Sequence, residues 1–145
     1  MESKINVTLR IKPLSAAEAK LDKNKLWVKV SENSLMNTRS KDVFSFDKVF
    51  GADVTTDTIF KEQVKDLVHN SLNGFNQTIF AYGQTSSGKT FTMHGDQKGV
   101  TSGLIPLSVR EIFDYIECDT ERTYKVSVSY MEVSTRNFPK LNSNR

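Results

Sequence analysis

An α/β fold is the class this sequence predicts: a largely parallel central sheet flanked by helices, with a small β-lobe at one end. Three observations predict it. Some segments alternate apolar and polar residues with the period of a strand, others carry apolar residues at helical spacing, and the two kinds follow one another along the chain. A glycine-rich turn stands at one strand-to-helix junction.

The elements follow in order. Ile5, Val7, Leu9 and Ile11 alternate with Asn6, Thr8, Arg10 and Lys12, which predicts a strand with one apolar face. Pro13 ends it, because proline cannot donate to a ladder. Residues 26–30, including Trp27 as a packing residue, predict a second strand, and residues 43–46 continuing toward Val49 and Phe50 a third. The polar segments between them read as surface loops. Thr55, Thr56 and Asp57 offer N-caps to a helix whose stripe is Ile59, Phe60, Val64, Leu67, Val68 and Leu72, and Asn73-Gly74 stops it. His69 lies off that stripe, has no metal-ligand neighbour in sequence, and reads as solvated. Residues 78–82 form a short apolar run rich in β-formers between Gly74 and Gly83, and predict a buried strand. A helix is predicted near Gly88, interrupted by a loop over 94–103. Helical spacing resumes at Pro106, with Ile105, Val109, Ile112, Phe113 and Ile116 on one face. Tyr124, Val126, Val128 and Tyr130 alternate as a last strand.

The chemistry sits at the junction. Gly83-Gln84-Thr85-Ser86-Ser87-Gly88-Lys89-Thr90 matches G-x-x-x-x-G-K-[ST], the phosphate-binding loop of P-loop nucleotidases. The glycines let the backbone curl so that successive N–H groups face phosphate oxygens. Lys89 is a mobile point charge for the β- and γ-phosphates, and the Thr90 hydroxyl suits a Mg²⁺ ion bridging them. The following helix adds the positive end of its dipole.

Composition bounds the rest. At 145 residues, 37% hydrophobic and 26% charged, the chain reads as one globular domain rather than a disordered one. No apolar run approaches a membrane span, and residues 1–4 lack the apolar core of a signal peptide, so a cytosolic or nuclear location is expected. Cys118 stands alone, which fits a reducing compartment and an inert helix-end residue. The net charge of +3 is mild and the basic residues are scattered, so no nucleic-acid face is expected.

Taken together, these segments resemble the kinesin motor domain. Thr8-Leu9-Arg10-Ile11-Lys12-Pro13-Leu14 looks like the family's first strand and its Arg-x-Arg-Pro motif, with Lys12 replacing the second arginine. Phe44-Ser45-Phe46-Asp47-Lys48-Val49-Phe50 is similar to the family's Phe-x-Phe-Asp-x-Val-Phe strand. Residues 74–93 read almost as the family consensus around the phosphate loop. Gly103-Leu104-Ile105-Pro106 and Val126-Ser127-Val128-Ser129-Tyr130-Met131-Glu132 match its next two landmarks. The resemblance runs from about Ile5 to Val133, and its landmarks fall in family order.

The resemblance implies a kinesin-like P-loop NTPase that binds Mg-ATP, with microtubules (tubulin) as partner, in the cytoplasm on the cytoskeleton, and with neither membrane nor nucleic acid as partner. Arg10 and Pro13 match positions that pack on the adenine ring, and Phe91 the aromatic position on its other side. The implied nucleotide site is Arg10, Pro13, Gly83, Gln84, Thr85, Ser86, Ser87, Gly88, Lys89, Thr90 and Phe91, with Thr90 on Mg²⁺; no catalytic residue is assigned. The 95–103 loop corresponds to a variable surface loop beside the nucleotide. After Val133 the pattern departs: Ser134-Thr135-Arg136-Asn137 stands where the family has Tyr-Asn-Glu, and the family's two switch motifs and main microtubule-binding helix have no counterpart. The expected organisation is residues 1–133 as the N-terminal half of a motor domain and 134–145 as a divergent, disordered tail, as in a truncated gene product. Sheet strands of the other half lie, in this family, between the first strand and the phosphate-loop strand, so open strand edges are expected. The chain is expected to hold a phosphate cradle without hydrolysing ATP alone. A rival expectation is a non-catalytic nucleotide-binding or interaction fragment. A P-loop enzyme of another class, such as a small kinase, lacks support from a second acidic Mg²⁺ motif.

Overall fold

A computed structural model describes residues 5–21, 26–96 and 99–131. The divergent tail expected over 134–145 lies outside them.

The first alternating segment enters a ladder only over β1 (Thr8–Arg10). Pro13 follows it, and where the polar sequence predicts a loop the chain instead forms a helix, α1 (Ala16–Leu21). Its signal is Ser15-x-x-Glu18, a capping box: the Glu18 N–H donates to Ser15 Oγ at 3.3 Å and the Ser15 N–H to Glu18 Oε2 at 2.8 Å. The β-lobe is a three-stranded antiparallel sheet of β2 (Trp27–Lys29), β3 (Ser34–Asn37) and β4 (Val43–Ser45), in that order. β3 also falls in a segment that reads as loop, since Ser34 and Asn37 hide a strand whose apolar content is Leu35 and Met36. Trp27 packs against Phe44 across the lobe, with ring centroids 5.8 Å apart.

The third predicted strand is two. β4 stops at Ser45, and β5 (Lys48–Phe50) pairs parallel with β1 in the register Thr8 with Lys48, Leu9 with Val49 and Arg10 with Phe50. The side-chain amide of Asn33 donates to the carbonyls of Phe46 and Asp47, fixing the crossing from one sheet to the other. The parallel pair is extended by backbone bonds from Asp47 N–H to Val7 O (3.0 Å) and Ile11 N–H to Phe50 O (3.0 Å).

The predicted long helix forms as α2 (Thr56–Ile59), a π-helical turn over Phe60–Val64, and α3 (Lys65–Leu72). Thr55 caps it, its hydroxyl accepting the Thr58 N–H at 3.2 Å. At the other end Gly74 takes φ 94°, and the N–H groups of Gly74 and Phe75 return to the carbonyls of Ser71 and Asn70, both at 3.1 Å. That is a Schellman stop, which a glycine accommodates without a Cβ penalty. The short helix α4 (Lys89–His94) and the long helix α5 (Leu104–Cys118) complete the described structure. The core is Phe50, Ile59, Phe60, Val64, Val68, Leu104 and Leu107, with Val54, Ile79, Met93 and Ile112 packed on it. It therefore joins β5, the long helix and the start of α5.

Three expectations are corrected. Residues 78–82 form no ladder, although burial alternates there, with Ile79 and Ala81 half-buried and Phe80 and Tyr82 exposed. Residues 124–130 form none either. A strand is completed only by a neighbour, and among the described residues neither segment meets one. Finally, α5 begins at Leu104 and buries Leu104 and Leu107; of the predicted face Ile112 packs on the core and Ile116 is half-buried, while Ile105, Val109 and Phe113 are exposed. Both faces of this helix are apolar, and periodicity alone does not say which one the described core uses. Among the described residues no helix is long and apolar enough to cross a membrane.

Candidate functional site

Residues 83–90 form a tight loop that opens directly into α4. Gly83 (φ 157°) and Gly88 (φ 97°) supply its turns, and Ser86 adopts φ 65° between them. A Cβ on Gly83 would sit 2.5 Å from Ser87 Oγ and displace that side chain, and the φ of Gly83 is one that L side chains rarely adopt. The Ser87 N–H donates to Gln84 O at 3.2 Å, and the Thr92 N–H to Gly88 O at 2.9 Å, which starts the helix. Lys89 Nζ turns back over the loop and donates to the carbonyls of Gly83 and Gln84, each at 2.8 Å. The cation therefore sits over the loop's own curl, where the sequence motif sets an anion. Ser87, Gly88 and Lys89 are half-buried; Gln84, Thr85, Ser86 and Thr90 are exposed.

β1 approaches this loop through side chains. Arg10 Nη1 donates to Thr56 Oγ1 at 3.0 Å and to Thr92 Oγ1 at 3.1 Å, and its guanidinium carbon stands 5.4 Å from the centre of the Phe91 ring. This is a cation–π contact tied to two hydroxyls, one of them on the fully buried Thr56. Burial pulls the Arg10 pKa below its ordinary value. Arg10 and Phe91 are the two groups that the resemblance sets on opposite sides of a base. A flat ring held between them needs about 7 Å, two contacts of about 3.5 Å each, so a base entering there parts this pair.

A cavity of about 540 Å³ reaches these groups from the cleft between the segment around β1, the long helix and residues 78–82, which form most of its lining. Its walls include Arg10, Lys12, Pro13, Ser87, Gly88, Lys89 and Phe91. The structure thus brings the predicted base-side residues together with three of the eight residues of the predicted phosphate loop, Ser87, Gly88 and Lys89. Gly83, Gln84, Thr85, Ser86 and Thr90 lie outside that wall, on the rest of the loop and the first turn of α4. Thr56, Thr92 and Glu18 contact site residues without being singled out by the sequence motifs. Of the three, Glu18 carries a local signal, its capping box.

The 95–103 loop is pinched shut at its base. Asp96 accepts the N–H groups of Val100 (2.8 Å) and Thr101 (3.1 Å), and a Cβ on Gly103 would lie 2.4 Å from the backbone of residues 93–95. His69, expected to be solvated, is instead half-buried and bonded: its Nε2 is 2.7 Å from Glu111 Oε1, and Lys65 Nζ is 3.0 Å from the same oxygen. Burial raises the Glu111 pKa, but the bonds from His69 and Lys65 outweigh it and leave the carboxyl below its ordinary value. This cluster staples α3 to α5 and lies off the loop. Among the described residues no group of His, Cys, Asp and Glu is arranged to hold a metal.

A glycine-rich loop opening into a helix, beside a parallel strand pair, is the architecture of the P-loop fold class. The kinesin motor domain model matches residues 10–142, nearly the whole chain, and the chain belongs to that family. It is 41% identical over 132 residues to kinesin-related protein 4 of Dictyostelium discoideum, covering 90% of this chain and 7% of that protein. It is 39% identical to kinesin-like protein KIN-7G of Oryza sativa subsp. japonica, covering 89% of this chain and 14% of that one. Among solved structures it is similar to a fast kinesin, with a TM-score of 0.74 and 30% identity over 81% of this chain and 34% of the other. The fold is kinesin-motor-like, and the chain spans about a third of that structure.

Proposed function

We propose that this chain is the nucleotide-binding N-terminal part of a kinesin-type motor, holding Mg-ATP at its phosphate loop in a protein that moves along microtubules in the cytoplasm. The observation that carries the reading is the loop itself. Its glycines stand at positive φ, a Cβ at Gly83 would meet the Ser87 side chain, and Lys89 Nζ lies over the curl, where its partners among the described residues are two neutral carbonyls. Two carbonyls satisfy an ammonium only partly, and a polyphosphate offers it full charges. Family membership supports the same reading. So does the likeness to a fast kinesin, whose structure bears on ATPase mechanism and interactions with microtubules.

The residues present fit such a ligand. Residues 83–88 would hold phosphate oxygens through backbone N–H groups, Lys89 would pair with the terminal phosphates, and Thr90 would offer its hydroxyl to Mg²⁺. The ion would neutralise phosphate charge. Arg10, Pro13 and Phe91 would take the base. This chain's own part is binding and orientation; we assign none of its residues a proton transfer. A second reading, a nucleotide-binding piece without chemistry of its own, is favoured by residues 78–82, which lead into the loop outside any ladder.

Titration of the 145-residue chain with a fluorescent ATP analogue, with and without Mg²⁺, tests the proposal. Saturable, Mg²⁺-dependent binding is expected, and Lys89→Ala should weaken it at least about a hundredfold through loss of a charge-assisted contact. Undiminished binding by Lys89→Ala would overturn the phosphate-cradle assignment.

A further inference from the structure

The C-terminal end of β1 sends two cations toward the loop, two residues apart. Arg10 goes to α4. Lys12 goes to the loop itself: its Nζ lies 3.2 Å from the carbonyl oxygen of Ser86 and 2.7 Å from Glu18 Oε1. Glu18 is fixed in turn by its capping box with Ser15 at the start of α1. A line of hydrogen bonds therefore runs from α1 through Glu18 and Lys12 to the apex of the phosphate loop. The Lys12 stem lies against the loop as well, its Cγ 4.0 Å from where a Cβ on Gly88 would stand.

The contact point is informative. Ser86 is the non-glycine residue of the loop held at positive φ, a conformation that needs outside support. In a trans peptide the C=O and the next N–H point in opposite directions. With the Ser86 carbonyl turned outward to Lys12, the Ser87 N–H is turned into the loop, where it meets Gln84 O. That N–H is one of those a phosphate oxygen would use.

We propose that Lys12, held by Glu18, is a positioning residue for the triphosphate: it locks the Ser86–Ser87 peptide so that the Ser87 N–H faces the cradle. The proposal rests on the nucleotide-binding reading above. It differs from what the resemblance implies for this position, which is an arginine at the base. An ammonium is a compact point charge and suits one carbonyl and one carboxylate better than the face of a ring.

The two roles separate experimentally, because a base contact cannot affect a ligand without a base. Affinities of the 145-residue chain would be measured for the fluorescent ATP analogue and, by competition, for inorganic tripolyphosphate, both with Mg²⁺. Lys12→Met should weaken both by the same factor, about tenfold for one charge-assisted hydrogen bond. Glu18→Gln should weaken both by a smaller common factor, the double variant should be no worse than Lys12→Met alone, and Lys12→Arg should restore most of the tripolyphosphate affinity. Weakening confined to the ATP analogue, or no weakening, overturns the proposal. So does a wild-type chain that binds the analogue but not tripolyphosphate. Should Lys12→Met lose its circular dichroism, Glu18→Gln carries the same comparison with the same criteria. A wild-type chain that binds neither probe overturns the nucleotide reading itself, an outcome distinct from failure of the Lys12 role alone.

Discussion

Single side chains and single φ angles set the shape of the 83–90 loop. Gly88 stands at φ 97° and ψ 15°, where an L side chain is strained whatever the space around it. Gly88→Ala should cost about 1–2 kcal/mol and deform the entry to α4, seen as a lower melting temperature together with weaker nucleotide binding. Glu18 supplies a pH handle on the same region. The Lys12 hydrogen bond, with those from Ser15, holds its carboxyl down from an ordinary 4.5 to about 2. A depressed carboxylate contributes stability that is present above the ordinary value and lost as pH falls through the folded one. The pair should therefore loosen between about pH 4.5 and 2, and Glu18→Gln should flatten that part of the melting-temperature profile. Glu32, held to about 2 by Lys29 and Lys48, acts in the same window, so some decline persists in the variant. A wild-type-like acid profile for Glu18→Gln would deny this pair any share in acid stability.

At the scale of elements, local chemistry is legible in the sequence and long-range pairing is not. The Thr55 cap and the Gly74 stop are each written within a few residues and form as the sequence predicts, and the glycine-rich 83–90 segment turns tightly into a helix. Thr55→Ala should accordingly cost about 1 kcal/mol and lower the melting temperature by about 4 °C, with a far-UV spectrum otherwise unchanged; no loss would mean the helix start is held by packing alone. The strands behave differently. Residues 78–82 have the composition of a strand, but a ladder is a property of two segments, and composition reports only one of them. Residues 43–50 look like one strand and serve two sheets, because the crossing is fixed by the side chain of Asn33, distant in sequence. His69 reads as solvated because its partner, Glu111, lies on another helix 42 residues further on. The site shows the same division. The loop residues are legible from their motif, whereas Thr56 and Thr92 enter only because Arg10 reaches across the fold to them.

The whole molecule carries more apolar surface than its own core covers. Ile105, Val109 and Phe113 recur every fourth residue along α5 and all remain over 40% exposed, while Phe80 and Tyr82 stand out beside the phosphate loop. The core meets α5 at Leu104, Leu107 and Ile112, so the exposed stripe of Ile105, Val109 and Phe113 is a second face rather than a poorly packed first one. The chain spans 34% of the solved motor to which it is similar, and a stripe of this kind is what a larger assembly of elements buries. Two states of the same helix therefore predict opposite responses to one substitution. In the 145-residue chain, Val109→Lys with Phe113→Lys should leave stability within about 0.5 kcal/mol per site, as surface changes do, and should reduce concentration-dependent light scattering. Placed at the equivalent helix face of a complete motor domain, the same pair should cost several kcal/mol, since it removes buried apolar volume and buries charge. Equal melting shifts in the two contexts would mean that the stripe is solvent-facing in both, and that the exposed face of α5 belongs to the fold itself rather than to an interface with further elements.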